Sequence, residues 1–143
     1  MNTAAPALDP DDASQLSDAL LDARKWTLAL YGHLTPQQLQ VPYLRIINPP
    51  LWEIGHVGWF QEYWCLRGGS ETRPSILPNA DALYNSATVP HDARWSLPLP
   101  SFADTIAYRD EVLERVLGKL ESLDPYFVGL AVRRTRLVPF PVS

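Results

Sequence analysis

The chain has 143 residues, room for one domain, and its 46% hydrophobic and 20% charged residues give a globular rather than a disordered balance. A net charge of −4 and a pI near 5.2 argue against a nucleic-acid partner, which needs a basic patch, and no run approaches the ~18 uninterrupted apolar residues of a membrane span. The single cysteine, Cys65, cannot pair internally, and Met1 to Asp12 lacks the basic start and apolar stretch of a signal peptide, so a reducing cytoplasm is the expected compartment.

Residues 1–10 read as a flexible leader, 11–132 as a helical domain and 133–143 as an atypical tail. A first helix is predicted from about Asp12 to Leu34, with Leu16, Leu20, Ala23, Thr27, Leu30 and Leu34 at spacings of three and four. Asp9, Asp11 and Asp12 suit its N-terminus. Thr35-Pro36 opens a short turn through Leu39, and Val41 to Asn48 reads as extended or irregular. A second helix follows from Pro49 to Arg67, with Asn48 as its cap and Gly68-Gly69 as its stop. Residues 68–100 form a long, proline-rich loop with one helical turn near Asp81 to Tyr84, and loops of that length inside a domain are often functional.

Ser101-Phe102-Ala103-Asp104 resembles a capping box with Asp in place of Glu. It opens a third helix to about Leu123, whose buried face is Phe102, Ile106, Leu113, Val116, Leu117 and Leu120. Asp124-Pro125 starts a fourth helix that ends early, at Val132. The expected fold is therefore all-α: a four-helix bundle with a long loop between helices two and three and an incomplete fourth helix.

On the wheel of the second helix, Trp52, His56, Trp59, Phe60 and Tyr63 share one face, with Gln61 and Cys65 opposite. Gly55 and Gly58 leave room for another helix to approach closely. His56 thus points toward the core. A buried imidazole there is either a structural group satisfied by a hydrogen bond, its pKa lowered by desolvation, or a neutral metal ligand whose other nitrogen is held by an acceptor.

The run Ile47-Asn48-Pro49-Pro50-Leu51-Trp52-Glu53-Ile54-Gly55-His56-Val57-Gly58-Trp59-Phe60-Gln61-Glu62 resembles the N-terminal DinB-like domain of the ergothioneine-type sulfoxide synthases and their selenoneine-forming relatives. So do Leu83-Tyr84-Asn85-Ser86, His91 to Trp95 and Leu97 to Ser101, and the likeness covers roughly residues 15–130. The resemblance implies a DinB-like bundle and a non-haem Fe(II) site with His56 as one ligand. The other two ligands would come from a His-x-x-x-His pair on helix four, whose i, i+4 spacing shares a face. It also implies small-molecule partners: trimethylhistidine, a cysteine-type thiol or seleno-sugar, and O₂. Loop arginines of the family hold substrate carboxylates, which makes Arg94 the candidate here, beside a plain loop-bracing role. Where the family carries the histidine pair, this chain reads Arg133-Arg134-Thr135-Arg136, and the family's large C-terminal domain is not represented. The resemblance therefore leads to the expectation of a truncated or frame-shifted member, inactive alone and weak in metal affinity.

Other candidates are His33 at the end of helix one, expected on the surface, and His91 in the loop. A makeshift triad of His33, His56 and His91 is disfavoured by their scatter. Asp92 and Glu62 are possible carboxylate ligands but fit solvated or salt-bridged roles better, and Cys65 reads as inert packing. Two further readings stay open. One is a non-catalytic helical module that self-associates through the groove an incomplete fourth helix leaves. The other is a metal-dependent DinB-like thiol transferase, disfavoured by the missing histidine pair.

Overall fold

The computed structural model describes residues 12–122; the predicted leader, the fourth helix over Pro125 to Val132 and the tail lie outside the described residues. Among the described residues the chain is all-α, with four α-helices, two 3-10 turns and no strand. No described helix is long and apolar enough to cross a membrane.

Helix α1 spans Ala13–Tyr31, and the Asp12 carboxylate caps it by accepting from the N–H groups of Ser14 and Gln15 at 2.9 and 3.1 Å. It stops at Tyr31 rather than Leu34, and it buries Leu16 and Arg24, with Leu20 packed against the core. The predicted stripe is therefore rotated: Ala23 is exposed and Leu30 is 60% exposed. Aliphatic side chains ring more than half of this helix, so periodicity alone cannot choose the stripe that the neighbours cover. Thr35 and Gln38 then cap each other reciprocally, the Thr35 N–H donating to Gln38 Oε1 at 2.9 Å and the Gln38 N–H to Thr35 Oγ1 at 3.3 Å. This opens the 3-10 turn Gln38–Gln40.

Helix α2, Pro50–Cys65, is the centre of the molecule. It starts with Pro at the first position, where the missing N–H costs nothing. Asn48 is not its cap; Pro49 holds that position, and Asn48 Nδ2 instead donates to Glu53 Oε1 at 2.5 Å. The chain leaves the helix through Gly68 and Gly69 at φ 64° and 73°, a left-handed exit that returns the Gly69 N–H to Tyr63 O at 2.8 Å.

The predicted turn near Asp81 is a short helix, α3, Ala80–Tyr84, and His91–Trp95 forms the second 3-10 turn. Helix α4, Phe102–Ser122, begins where Ser101 Oγ accepts the Asp104 N–H at 3.1 Å. It buries Thr105, Tyr108, Arg109, Val112, Leu113, Val116 and Leu120.

Trp52, Trp59, Tyr84, Tyr108, Val112 and Val116 form the main core between α2, α3 and α4, joined by Leu16 and Leu120. A smaller cluster of Leu39, Leu51 and Ile54 closes one end. The two glycines of α2 act as predicted. A Cβ at Gly55 would stand 2.3 Å from the Tyr84 ring, and one at Gly58 would stand 2.7 Å from Arg109 Cγ. Removing those Cβ atoms lets α3 and α4 close on α2.

Candidate functional site

Each aromatic N–H on the α2 face finds an acceptor on α3. Trp52 Nε1 donates to Leu83 O at 2.8 Å, His56 Nδ1 lies 2.8 Å from Tyr84 O, and Trp59 Nε1 donates to Asp81 Oδ1 at 2.7 Å. Positions 52, 56 and 59 recur at the helical repeat, so one stripe of α2 meets the length of a five-residue helix. The last carbonyls of a helix have no intrahelical partner, and Leu83 O and Tyr84 O find theirs here. Asp81 is also gripped by Arg67, whose Nη1 and Nη2 reach its two oxygens at 2.7 and 2.8 Å. That paired contact lowers the Asp81 pKa and raises that of Arg67.

His56 itself is half-buried. Its ring stacks on Trp52, with centroids 4.6 Å apart and planes 10° from parallel, and lies 5.9 Å from Trp59 and 6.2 Å from Phe60. Tyr84 O can only accept, so the neutral ring carries its proton on Nδ1 and leaves the Nε2 lone pair uncommitted. Burial lowers the imidazole pKa, opposed by the Tyr84 hydrogen bond and Glu53 and assisted by Arg94. The ring is thus neutral, tautomerically fixed and ligand-competent at one nitrogen.

Arg94 approaches from the loop. Its Cζ lies 4.0 Å from the centroid of the Trp52 ring. Nη1 donates to Asn48 Oδ1 at 2.9 Å, and Nη2 donates to Val89 O at 3.1 Å and Ser86 O at 3.5 Å. Nε is buried with no acceptor among the described residues, and burial lowers the pKa. In this geometry Arg94 braces the loop against the start of α2.

The other candidates do not gather around His56. His33 lies exposed beyond α1. His91 Nε2 donates to Ile47 O at 2.6 Å, and its ring packs edge-on against Trp95 and Tyr43. Exposed Asp92 accepts from the Tyr43 hydroxyl at 2.8 Å. Burial raises the Cys65 thiol pKa, in keeping with inert packing.

Glu62, expected to be solvated or salt-bridged, is 1% exposed. It accepts from Ser75 Oγ, the Ile76 N–H and the Tyr108 hydroxyl at 2.5, 2.7 and 2.8 Å. The carboxylate is a fixed hub that ties the loop and α4 to α2. Its wheel position, between Gly55, Gly58 and Trp59, was the signal that it would be buried.

A non-haem iron centre needs about three protein ligands. Among the described residues no three or more His, Cys, Asp or Glu side chains come together. The described donor set therefore does not make up a complete metal site: His56 offers one nitrogen and no second described donor joins it.

The DinB superfamily profile matches residues 19–141 of the chain. Similar proteins include the hercynine oxygenase of Mycolicibacterium thermoresistibile, 33% identical over 124 residues, and that of Mycolicibacterium smegmatis, 34% identical over 116 residues. The hercynine oxygenase of Mycobacterium tuberculosis is 34% identical over 110 residues. The three alignments cover 83%, 78% and 76% of this chain but only 28%, 27% and 26% of those relatives, so the chain spans little more than a quarter of their length.

Proposed function

The chain belongs to the DinB superfamily, and on that premise we propose that it forms the DinB-like part of a hercynine-oxygenase-type protein, with His56 at the Gly-His ligand position of the family's Fe(II) site. The reaction served would be C–S or C–Se bond formation on a histidine betaine, with a thiol or seleno-sugar and O₂ as the other substrates, in ergothioneine or selenoneine biosynthesis. The observation that carries this reading is the His56 imidazole, held through Nδ1 by Tyr84 O with Nε2 open, in a chain 33% and 34% identical to proteins of that name. Because the described residues bring no further ligands to it and the sequence contains only three histidines, the chain by itself binds iron weakly and does not turn over. Arg94 lies within the same cluster and is proposed to face the substrate carboxylate only if its bonds to the loop are exchanged.

The test is an anaerobic iron(II) titration followed on the His56 ring resonances, beside His56→Ala and a hercynine oxygenation assay. Weak broadening of the His56 signals with no turnover supports the reading. Tight stoichiometric iron lost in His56→Ala would overturn the claim of weak binding, and turnover in the assay would overturn that of inactivity. No effect of iron on His56 would reduce the residue to its packing role.

A second reading is favoured by α1, where Leu21, Trp26, Leu28 and Leu30 are 50%, 62%, 41% and 60% exposed. Leu21 and Leu28 lie on one side of α1 and Trp26 and Leu30 on the other, so α1 offers two small apolar flanks to a self-associating helical module. A mass in solution that rises with concentration would support it, and a strict monomer would exclude it.

A further inference from the structure

A helix of five residues is too short to hold its own shape or place, so α3, Ala80–Tyr84, lies where its contacts put it. Its two ends are held differently. At the C-terminal end the wholly buried Tyr84 ring rests on α2 at Gly55, where an added Cβ would stand 2.3 Å away. Such packing fixes how near α3 comes but has no direction of its own. At the N-terminal end Asp81 makes directional bonds. Its Oδ1 accepts from Trp59 Nε1 and from Arg67 Nη1, both at 2.7 Å, and its Oδ2 accepts from Arg67 Nη2 at 2.8 Å. The Arg67 side chain is 3% exposed, and it is fixed in turn because its Nε donates to Arg73 O at 2.7 Å. A guanidinium and a carboxylate joined by two parallel bonds hold one relative orientation. The backbone carbonyl of Asp81 also accepts the Asn85 N–H at 3.1 Å and so closes α3.

His56 receives that orientation at the other end of the short helix. Asp81 and Tyr84 lie within one turn of each other, so any roll of α3 at Asp81 carries the Tyr84 carbonyl with it. Tyr84 O stands 2.8 Å from His56 Nδ1, and a hydrogen bond weakens steeply as its angle departs from linear. A neutral imidazole that loses its acceptor is free to carry its proton on either nitrogen. We propose that Asp81, locked by Arg67 and Trp59, is the positioning residue of His56: by fixing the roll of α3 it aims Tyr84 O at Nδ1, holds the proton there and keeps the Nε2 lone pair open. The use of that lone pair rests on the ligand reading given above; its positioning does not.

The experiment uses the whole chain with isotopically labelled histidine rings, at alkaline pH where the rings are neutral. The ring nitrogen resonances then report which nitrogen of each histidine carries the proton. His91, whose Nε2 faces Ile47 O at 2.6 Å, supplies an internal reference of the opposite tautomer. In the wild type the Nδ1–H form of His56 should exceed the Nε2–H form by about tenfold or more, and in Asp81→Asn by less than about threefold. Arg67→Lys, which keeps a charge but loses the fork, should drift the same way. Asp12→Ala lowers stability by removing a cap whose bonds lie within α1, and it should leave the His56 tautomer as it is. A wild-type ring that is mixed or protonated on Nε2 overturns the proposal. So does an unchanged tautomer in Asp81→Asn, or an equal drift in Asp12→Ala, which would mark general loosening. If Asp81→Asn does not fold, Arg67→Lys is judged by the same outcomes. Iron that leaves His56 untouched, with the tautomer still governed by Asp81, would remove the ligand reading and leave this one standing.

Discussion

The Nδ1 atom of His56 lies 2.8 Å from the carbonyl oxygen of Tyr84, and this contact joins α2 to the end of α3 while leaving Nε2 open. Protonating His56 would add charge to a desolvated ring beside Arg94, which is why its pKa lies below the ordinary 6.5. The unfolded chain then binds more protons than the folded one at pH values below that figure. Stability is therefore full above it and declines as pH falls through the window down to the lowered value. The urea midpoint of the wild type should drop between about pH 8 and about pH 5, and part of that drop should vanish in His56→Gln. An identical pH dependence in the two proteins would remove His56 from the account.

Gly55 and Gly58 should differ in tolerance. In Gly55→Ala the new methyl meets the rigid, fully buried Tyr84 ring at 2.3 Å. Overpacking of about 1–3 kcal/mol then exceeds the gain of about 1 kcal/mol in helix propensity. In Gly58→Ala the obstacle is the Arg109 stem, which can turn aside at smaller cost. Thermal unfolding should rank Gly55→Ala clearly below Gly58→Ala, and shortening Arg109 should restore only the second.

Arg94→Ala should loosen residues 86–95 rather than unfold the domain. It removes bonds to Asn48 and Val89 and the contact with Trp52, together worth about 1–3 kcal/mol. Faster amide exchange confined to that segment is the expected signature. Lys at this position should not rescue it, since an ammonium cannot make the same planar fork.

Glu62→Leu should be the most damaging of these changes, by about 3 kcal/mol or more. It strands the Ser75 and Tyr108 hydroxyls and the Ile76 N–H. Tyr108→Phe leaves the carboxylate two of its three donors and should cost much less. Equal losses in the two variants would mean that the hub does not act as described.

If, as proposed, the chain by itself binds iron weakly, chelators should leave the melting temperature unchanged. A fall in melting temperature on treatment with EDTA, reversed by iron, would place a resident metal in the chain.

The helical periods, the Ser101 cap, the Gly68-Gly69 exit and the aromatic face carrying His56 are local properties, and each was legible from residue type and spacing. So was the close approach at Gly55 and Gly58, since a missing side chain announces itself. What a residue's neighbours are across space is not local. The stripe of α1 that is buried depends on which side α4 covers, and α1 is apolar on both sides of that stripe. Tyr84 O holds His56 because a loop 28 residues further along returns as a short helix with its carbonyl end facing α2. The Arg109 stem lies close against α2 because Gly58 faces it without a side chain. One-dimensional patterns record which groups want burial or a partner; the folded chain alone decides which partner comes within 3 Å, because hydrogen bonds and packing act at contact range.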